Sequence, residues 1–185
     1  MMTVVEQIPI QGSFLLESRA LADDRGSFQR LYDAPFLAGL GCTEPLRQAN
    51  LSRTRRRGCA RGMHRQQLPH CGFKLVTCLR GAIWDVCLDT RTDSPTFARW
   101  EGRTLEADRN AFILLPPGCA HGFQSLSDDT EVLYLMGEDH DPGAEVRIQM
   151  LDPELAIAWP LAIDQVSPAD AGAPGLSTIF RRDPP

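Results

Sequence analysis

No run of apolar residues in the 185-residue chain is long enough to span a bilayer, and the first residues lack the basic-then-apolar order of a signal peptide. A cytoplasmic protein without a membrane partner is expected. No G-x-G-x-x-G and no P-loop occurs, which removes the usual backbone cradles for dinucleotides and nucleoside triphosphates, so no organic cofactor is expected. The 4 histidines form no His-x-His, and two single imidazoles, one beside several arginines, make a poor cation site. No metal is expected. The 6 cysteines contain no C-x-x-C, so in a reducing compartment six thiols are the expectation, with Cys78 and Cys87 packed as small hydrophobes. Cys119 lies on the wrong side of a Gly-rich turn for a nucleophile. A net charge of −5 argues against nucleic acid as the main partner. Helical signal is thin, and there is no internal repeat or low-complexity segment.

Strand signal fills the chain instead. Residues 73–79 and 83–89, separated by Arg80-Gly81, predict a hairpin. In the second run Trp84, Val86 and Leu88 alternate with Asp85 and Asp89, the period-2 pattern of a half-buried strand. Further strands are expected over residues 96–105, 111–115, 131–136 and 145–150, with short helical turns at 35–40 and 153–155. Many short strands punctuated by Gly and Pro predict an all-β sandwich or barrel, one domain over residues 1–185. The tail from Ser167 carries Pro168, Pro174, Pro184 and Pro185. It is expected to cross the barrel as an extended strap or in small helical turns.

Two histidines sit where strand pattern meets Gly/Pro punctuation: His64 in Arg61-Gly62-Met63-His64-Arg65-Gln66, and His121 in Pro116-Pro117-Gly118-Cys119-Ala120-His121. An unperturbed imidazole is largely neutral at physiological pH and so can act as a base. A carboxylate on its other ring nitrogen would fix the tautomer and raise basicity. Arg53, Arg55, Arg56 and Arg57 read as a solvated basic loop, with Arg61, beside His64, suited to an anionic substrate. Taken singly, Tyr134 is a core aromatic, Asp170 a turn residue and Lys74 the wet face of a strand. Taken together, these groups suit proton abstraction next to a carbonyl.

Several fragments, in order, resemble the dTDP-4-dehydrorhamnose 3,5-epimerase family. They include Asp24-Arg25-Gly26-Ser27-Phe28, Gln48-Ala49-Asn50-Leu51-Ser52, the Arg61 to Gln66 segment, and Gly81-Ala82-Ile83-Trp84-Asp85-Val86. Pro116-Pro117-Gly118-Cys119-Ala120-His121-Gly122-Phe123, Glu131-Val132-Leu133-Tyr134 and Trp159-Pro160 continue the series, which spans roughly residues 20–170. The resemblance implies a cupin-type jelly-roll barrel with short helical segments and an extended C-terminal tail. It implies inversion of C3, C5 or both on a nucleotide-linked 4-keto-6-deoxyhexose, by proton loss to an enolate and reprotonation on the other face. It makes His64 the base, Asp170 its partner, Tyr134 the opposite-face acid and Lys74 the cation at the oxyanion. Arg25, Gln48, Asn50, Arg61 and His121 match substrate-contacting positions. It also implies a homodimer, with residues 12–17 as the candidate exchanged strand.

The chain departs from the family's pattern on the nucleotide side. Arg30 stands where the family has Glu, Arg65 where it has an aromatic, Asp139-His140 where it has paired Tyr, and Ala169 where it has Lys. His140 is then the expected nucleobase contact, and a preference for a CDP or GDP sugar, or laxity about the base, is the expectation. Two further readings stay open: a 3-epimerase or isomerase on a non-dTDP sugar nucleotide, and a non-catalytic sugar-nucleotide-binding module.

Overall fold

The computed structural model describes residues 1–180. One sheet has six strands in the order β1 (Met2–Gln7), β2 (Phe14–Ser18), β10 (Ala111–Leu115), β7 (Lys74–Arg80), β12 (Thr130–Met136) and β5 (Gln48–Thr54). A second has five, in the order β13 (Glu145–Arg147), β6 (Ala60–Gln66), β11 (Cys119–Ser125), β8 (Ala82–Asp89) and β9 (Trp100–Glu106). A separate ribbon pairs β3 (Leu21–Asp23) with β4 (Gly26–Phe28). From β5 onward the chain passes repeatedly from one large sheet to the other, the connectivity of a jelly roll. Among the described residues both sheets keep open edges, so the expected barrel is two stacked sheets rather than a closed ring.

The inner faces meet in one core. Val76 and Cys78 of β7, Ile83 and Cys87 of β8, Ile113 and Leu115 of β10, Phe123 of β11 and Val132 of β12 pack together there. A second cluster covers the outer face of the five-stranded sheet. Val86, Leu88, Ala120 and Met63 lie beneath Ile148, Met150, Leu155, Ile157 and Leu176 from the last fifth of the chain. The tail is thus a lid of apolar side chains, held by α2 (Pro168–Ala171) and α3 (Leu176–Ile179). These are the small helical turns rather than the extended strap, and Pro184 and Pro185 lie outside the described residues.

Several local expectations need correction. The strands on either side of Gly81 do not pair: β7 lies between β10 and β12, and β8 between β11 and β9. Gly81, at φ +76°, turns the chain from one sheet into the other. The alternation in β8 is real, but no face of it is wet. The apolar face lies under the tail, and Asp85 and Asp89, both fully buried, point between the sheets. Residues 96–99 belong to a loop gathered around Asp89, whose carboxylate accepts from Arg91 Nε at 2.9 Å, Ser94 Oγ at 2.6 Å and Thr96 Oγ1 at 2.6 Å. Burial works to raise Asp89, but these donors outweigh it and hold the carboxyl at about 2. The strand beginning at Glu145 ends at Arg147, and residues 153–155 form a turn, not a helix. The helix expected at 35–40 is present as α1 (Ala34–Gly39), its Asp33 cap accepting from Phe36 N.

Candidate active site

A cavity of about 650 Å³ opens between the sheets, within the usual range for a small-molecule site. His64, Lys74, Tyr134, Asp170, Asn50, Arg61, His121 and His140 all line it.

His64 stands on β6, and its Nε2 is 2.6 Å from Asp170 Oδ1. Asp170 comes from α2, where the Ser167 hydroxyl accepts its backbone N–H. The tail therefore covers the sheet and also returns a carboxylate to a strand 106 residues upstream. With Asp170 ionised, Nε2–H donates to it and Nδ1 keeps the lone pair. Burial lowers His64 below its ordinary value, partly offset by Asp170. Burial raises Asp170, but hydrogen bonds from His64, Ser167 and Arg147 prevail and hold it below the usual carboxylate range.

Lys74 is the only lysine in the sequence. Its Nζ donates to the His64 carbonyl at 3.1 Å, and burial brings it down from 10.5 to about 8. A cation held in low dielectric is costly to keep and correspondingly responsive to a developing anion. Tyr134, on β12, meets the His121 ring edge-on with centroids 5.7 Å apart. Burial pushes its phenol well up, so it stays a proton donor across the physiological range. His121 Nε2 in turn lies 2.6 Å from Asp85 Oδ2. The buried Asp85 that looked like the wet side of a strand orients a second imidazole in the cavity.

Local sequence explains why these strands approach so closely. A Cβ on Gly62, at φ +119°, would come within 2.5 Å of the Gly122 Cα. Only glycine at both positions lets β6 and β11 run this near while they present His64 and His121 as register partners.

Two expected contacts lie elsewhere. Arg25 sits at the tip of the β3–β4 ribbon, its side chain 90% exposed and paired with Asp23 at 2.6 Å. That ribbon belongs to neither large sheet, and Arg25 is not among the residues that line its own cavity. Gln48 opens β5 outside the lining, where its Oε1 accepts from Asn50 Nδ2 at 3.4 Å. Arg61 is steadied by Thr54 Oγ1 at 3.3 Å and the Arg53 carbonyl at 3.4 Å.

Glu145, Arg147 and Gln66 were not among the expected site residues. Glu145 and Arg147, two apart on β13, both face the cavity. Their E-x-R spacing on a strand was the available signal. Gln66 donates to the Asp139 carbonyl at 3.0 Å and accepts from Asp141 N at 2.6 Å, clasping His140 between them. Among the described residues no three His, Cys, Asp or Glu side chains are grouped to share a cation.

A jelly roll whose polar cavity holds an imidazole–carboxylate pair, a buried cation and a phenol defines an acid–base enzyme acting on a small molecule. Residues 7–178 match the family model of dTDP-4-dehydrorhamnose 3,5-epimerase, and the chain belongs to that family. It is 45% identical over 177 residues to the dTDP-4-dehydrorhamnose 3,5-epimerase of Streptomyces griseus, covering 95% of this chain and 88% of that one. It is 39% identical over 165 residues to a dTDP-4-dehydrorhamnose 3-epimerase of Streptomyces niveus, covering 89% of this chain and 79% of that one. The crystal structure of dTDP-4-dehydrorhamnose 3,5-epimerase from Bacillus anthracis, with TDP and PPi bound, superposes with a TM-score of 0.89 at 38% identity. It covers 95% of this chain and 99% of that one.

Proposed function

We propose that this enzyme inverts C3 and C5 of a dTDP-linked 4-keto-6-deoxyhexose without metal or organic cofactor. The observation that carries the reading is the His64–Asp170 pair at 2.6 Å, placed in one cavity with Lys74 and Tyr134. The C4 ketone acidifies the hydrogens at C3 and C5. His64 removes one, and its charge as imidazolium is balanced by Asp170. The electron pair moves into the carbonyl, and Lys74 stabilises the enolate oxygen. Tyr134 then delivers a proton from the opposite face, inverting the centre. Arg61 takes the diphosphate, Asn50 and His121 the sugar and its linkage, and His140 the base.

The names of the relatives favour dTDP over the CDP or GDP sugar that the changed nucleotide-side residues led us to expect. Competition among dTDP, CDP, UDP and GDP in equilibrium binding decides this, with a preference for dTDP of about tenfold, roughly 1.4 kcal/mol, expected. The Streptomyces niveus relative supports a second reading, inversion at C3 alone. Free thiols throughout the described residues agree with a cytoplasmic location, and the exposed Arg25 ribbon with a homodimer.

Solvent deuterium wash-in to dTDP-4-keto-6-deoxyglucose, read by mass spectrometry and NMR, tests the reaction and its carbons. His64→Asn is expected to abolish exchange at both carbons while dTDP binding persists. Exchange at a near-native rate in this variant excludes His64 as the base.

A further inference from the structure

Asp170 has two donors on one oxygen. His64 Nε2 and Arg147 Nη1 each lie 2.6 Å from Oδ1. The other arm of the guanidinium is pinned by Glu145 Oε2 at 2.8 Å, two residues earlier on the same strand. The Asp170 side chain is only 4% exposed, so little water joins the contest for that oxygen. No cation comes from its own short helix, whose residues are Pro168, Ala169, Asp170 and Ala171.

We infer that Arg147 is a positioning residue that divides the Asp170 carboxylate between itself and His64, and so keeps the imidazole neutral and ready to accept a proton. This rests on His64 being the base of the reaction proposed above. An ionised aspartate bound to imidazole alone draws a proton onto the ring, and a base already protonated cannot abstract. A guanidinium on the same oxygen spends part of that charge and adds its own repulsion to an imidazolium. The charged and titratable groups facing His64 are Asp170 from α2, Glu145 and Arg147 from β13, Lys74 from β7 and His121 from β11. Burial is the largest influence against the charged ring; Asp170 and Glu145 favour the protonated ring, and Arg147 opposes them. Glu145 has a second duty in this arrangement, since it aims the fork that restrains Asp170.

The test replaces charge while keeping bulk. In Arg147→Met the NMR titration midpoint of the His64 ring moves upward, toward neutral pH. The acidic limb of the deuterium wash-in rate moves with it, so the rate well down that limb, relative to its plateau, falls about threefold or more. Arg147→Lys, which restores a cation within reach, returns both toward the native profile. Arg147→Gln, which keeps a donor but no charge, behaves like the methionine variant and serves if that one does not fold. An unchanged or lowered His64 midpoint in either folded neutral variant overturns the inference. The titration needs no substrate, so it stands or falls separately from the reaction assigned to the site.

Discussion

Lys74 illustrates how much a single residue can cost the fold for the sake of the site. Its ammonium is ordinary at 10.5 in the unfolded chain and drops to about 8 in the cavity. Between those values the folded state has released a proton that the unfolded state still binds, so this group makes stability rise with pH across that window. Below about pH 8 the buried charge is present and opposes folding by at most about 3 kcal/mol, less whatever the cavity's water restores. Lys74→Met is therefore expected to raise the melting temperature at pH 7 by several degrees, with the gain shrinking towards pH 10. The same variant should lose about a hundredfold or more in turnover, as expected on removing an oxyanion-stabilising group. Paired thermal scans and exchange assays check both halves. A variant that is no more stable at pH 7 would mean the ammonium is well compensated. Tyr134 admits a cleaner separation. Tyr134→Phe keeps the ring against His121 but removes the acid, so exchange into substrate should continue while inversion fails at one or both centres. Inversion at the normal rate would make the phenol a packing group.

Elements account for what sequence could and could not convey. The strands β7, β8, β10 and β12 were legible, β8 by its period-2 alternation and β10 as a short apolar run that Pro116-Pro117-Gly118 closes. Which side of β8 faced water was not, because Asp85 and Asp89 look like solvent residues until a buried histidine and a folded-back loop are there to receive them. The hairpin at Gly81 failed for a related reason, since a glycine turn reads the same whether the next strand stays in its sheet or crosses to the facing one. His64 stood out in the sequence as a candidate base, but the separate roles given to Tyr134, Lys74 and Asp170 came only through family resemblance. Nothing local ties Asp170 to a strand 106 residues away. For Arg147 the E-x-R spacing could have signalled a place on the cavity, but not its contact with the same Asp170 oxygen as His64. At this scale Gly62→Ala is the sharpest test. The added methyl meets the Gly122 backbone at 2.5 Å on a residue at φ +119°, so β6 and β11 must part. A loss of about 2–4 kcal/mol in chemical denaturation is expected, with weaker dTDP binding as His64 and His121 separate. A folded variant of native stability and affinity would show that the close approach is not required.

The whole molecule leaves one feature unused within a single chain. The β3–β4 ribbon stands off both sheets with Leu21 63% exposed and Phe28 70% exposed, an apolar pair flanking an exposed arginine at its tip. A solitary ribbon of this kind has little to hold it in water, which argues for a surface it packs against. In a two-fold dimer each subunit offers the same surface, so a ribbon that misses its own cavity can reach its partner's. The expected exchange of residues 12–17 would involve β2, which within one chain lies between β1 and β10, with β1 at the free edge. Arg25 would then meet the substrate's phosphates in the partner's cavity, joining Arg61 there. Sedimentation at micromolar concentration is expected to show a dimer, and Arg25→Ala to weaken dTDP binding while leaving the dimer intact. The decisive experiment mixes subunits. Arg25→Ala and His64→Asn are each expected to be nearly inactive alone. After unfolding together and refolding at equal amounts, half the dimers are mixed. Each mixed dimer then holds one cavity with both His64 and a partner's Arg25, so about a quarter of native activity should return. No recovery from a population shown to contain mixed dimers would place Arg25 in service of its own chain, or of no site at all.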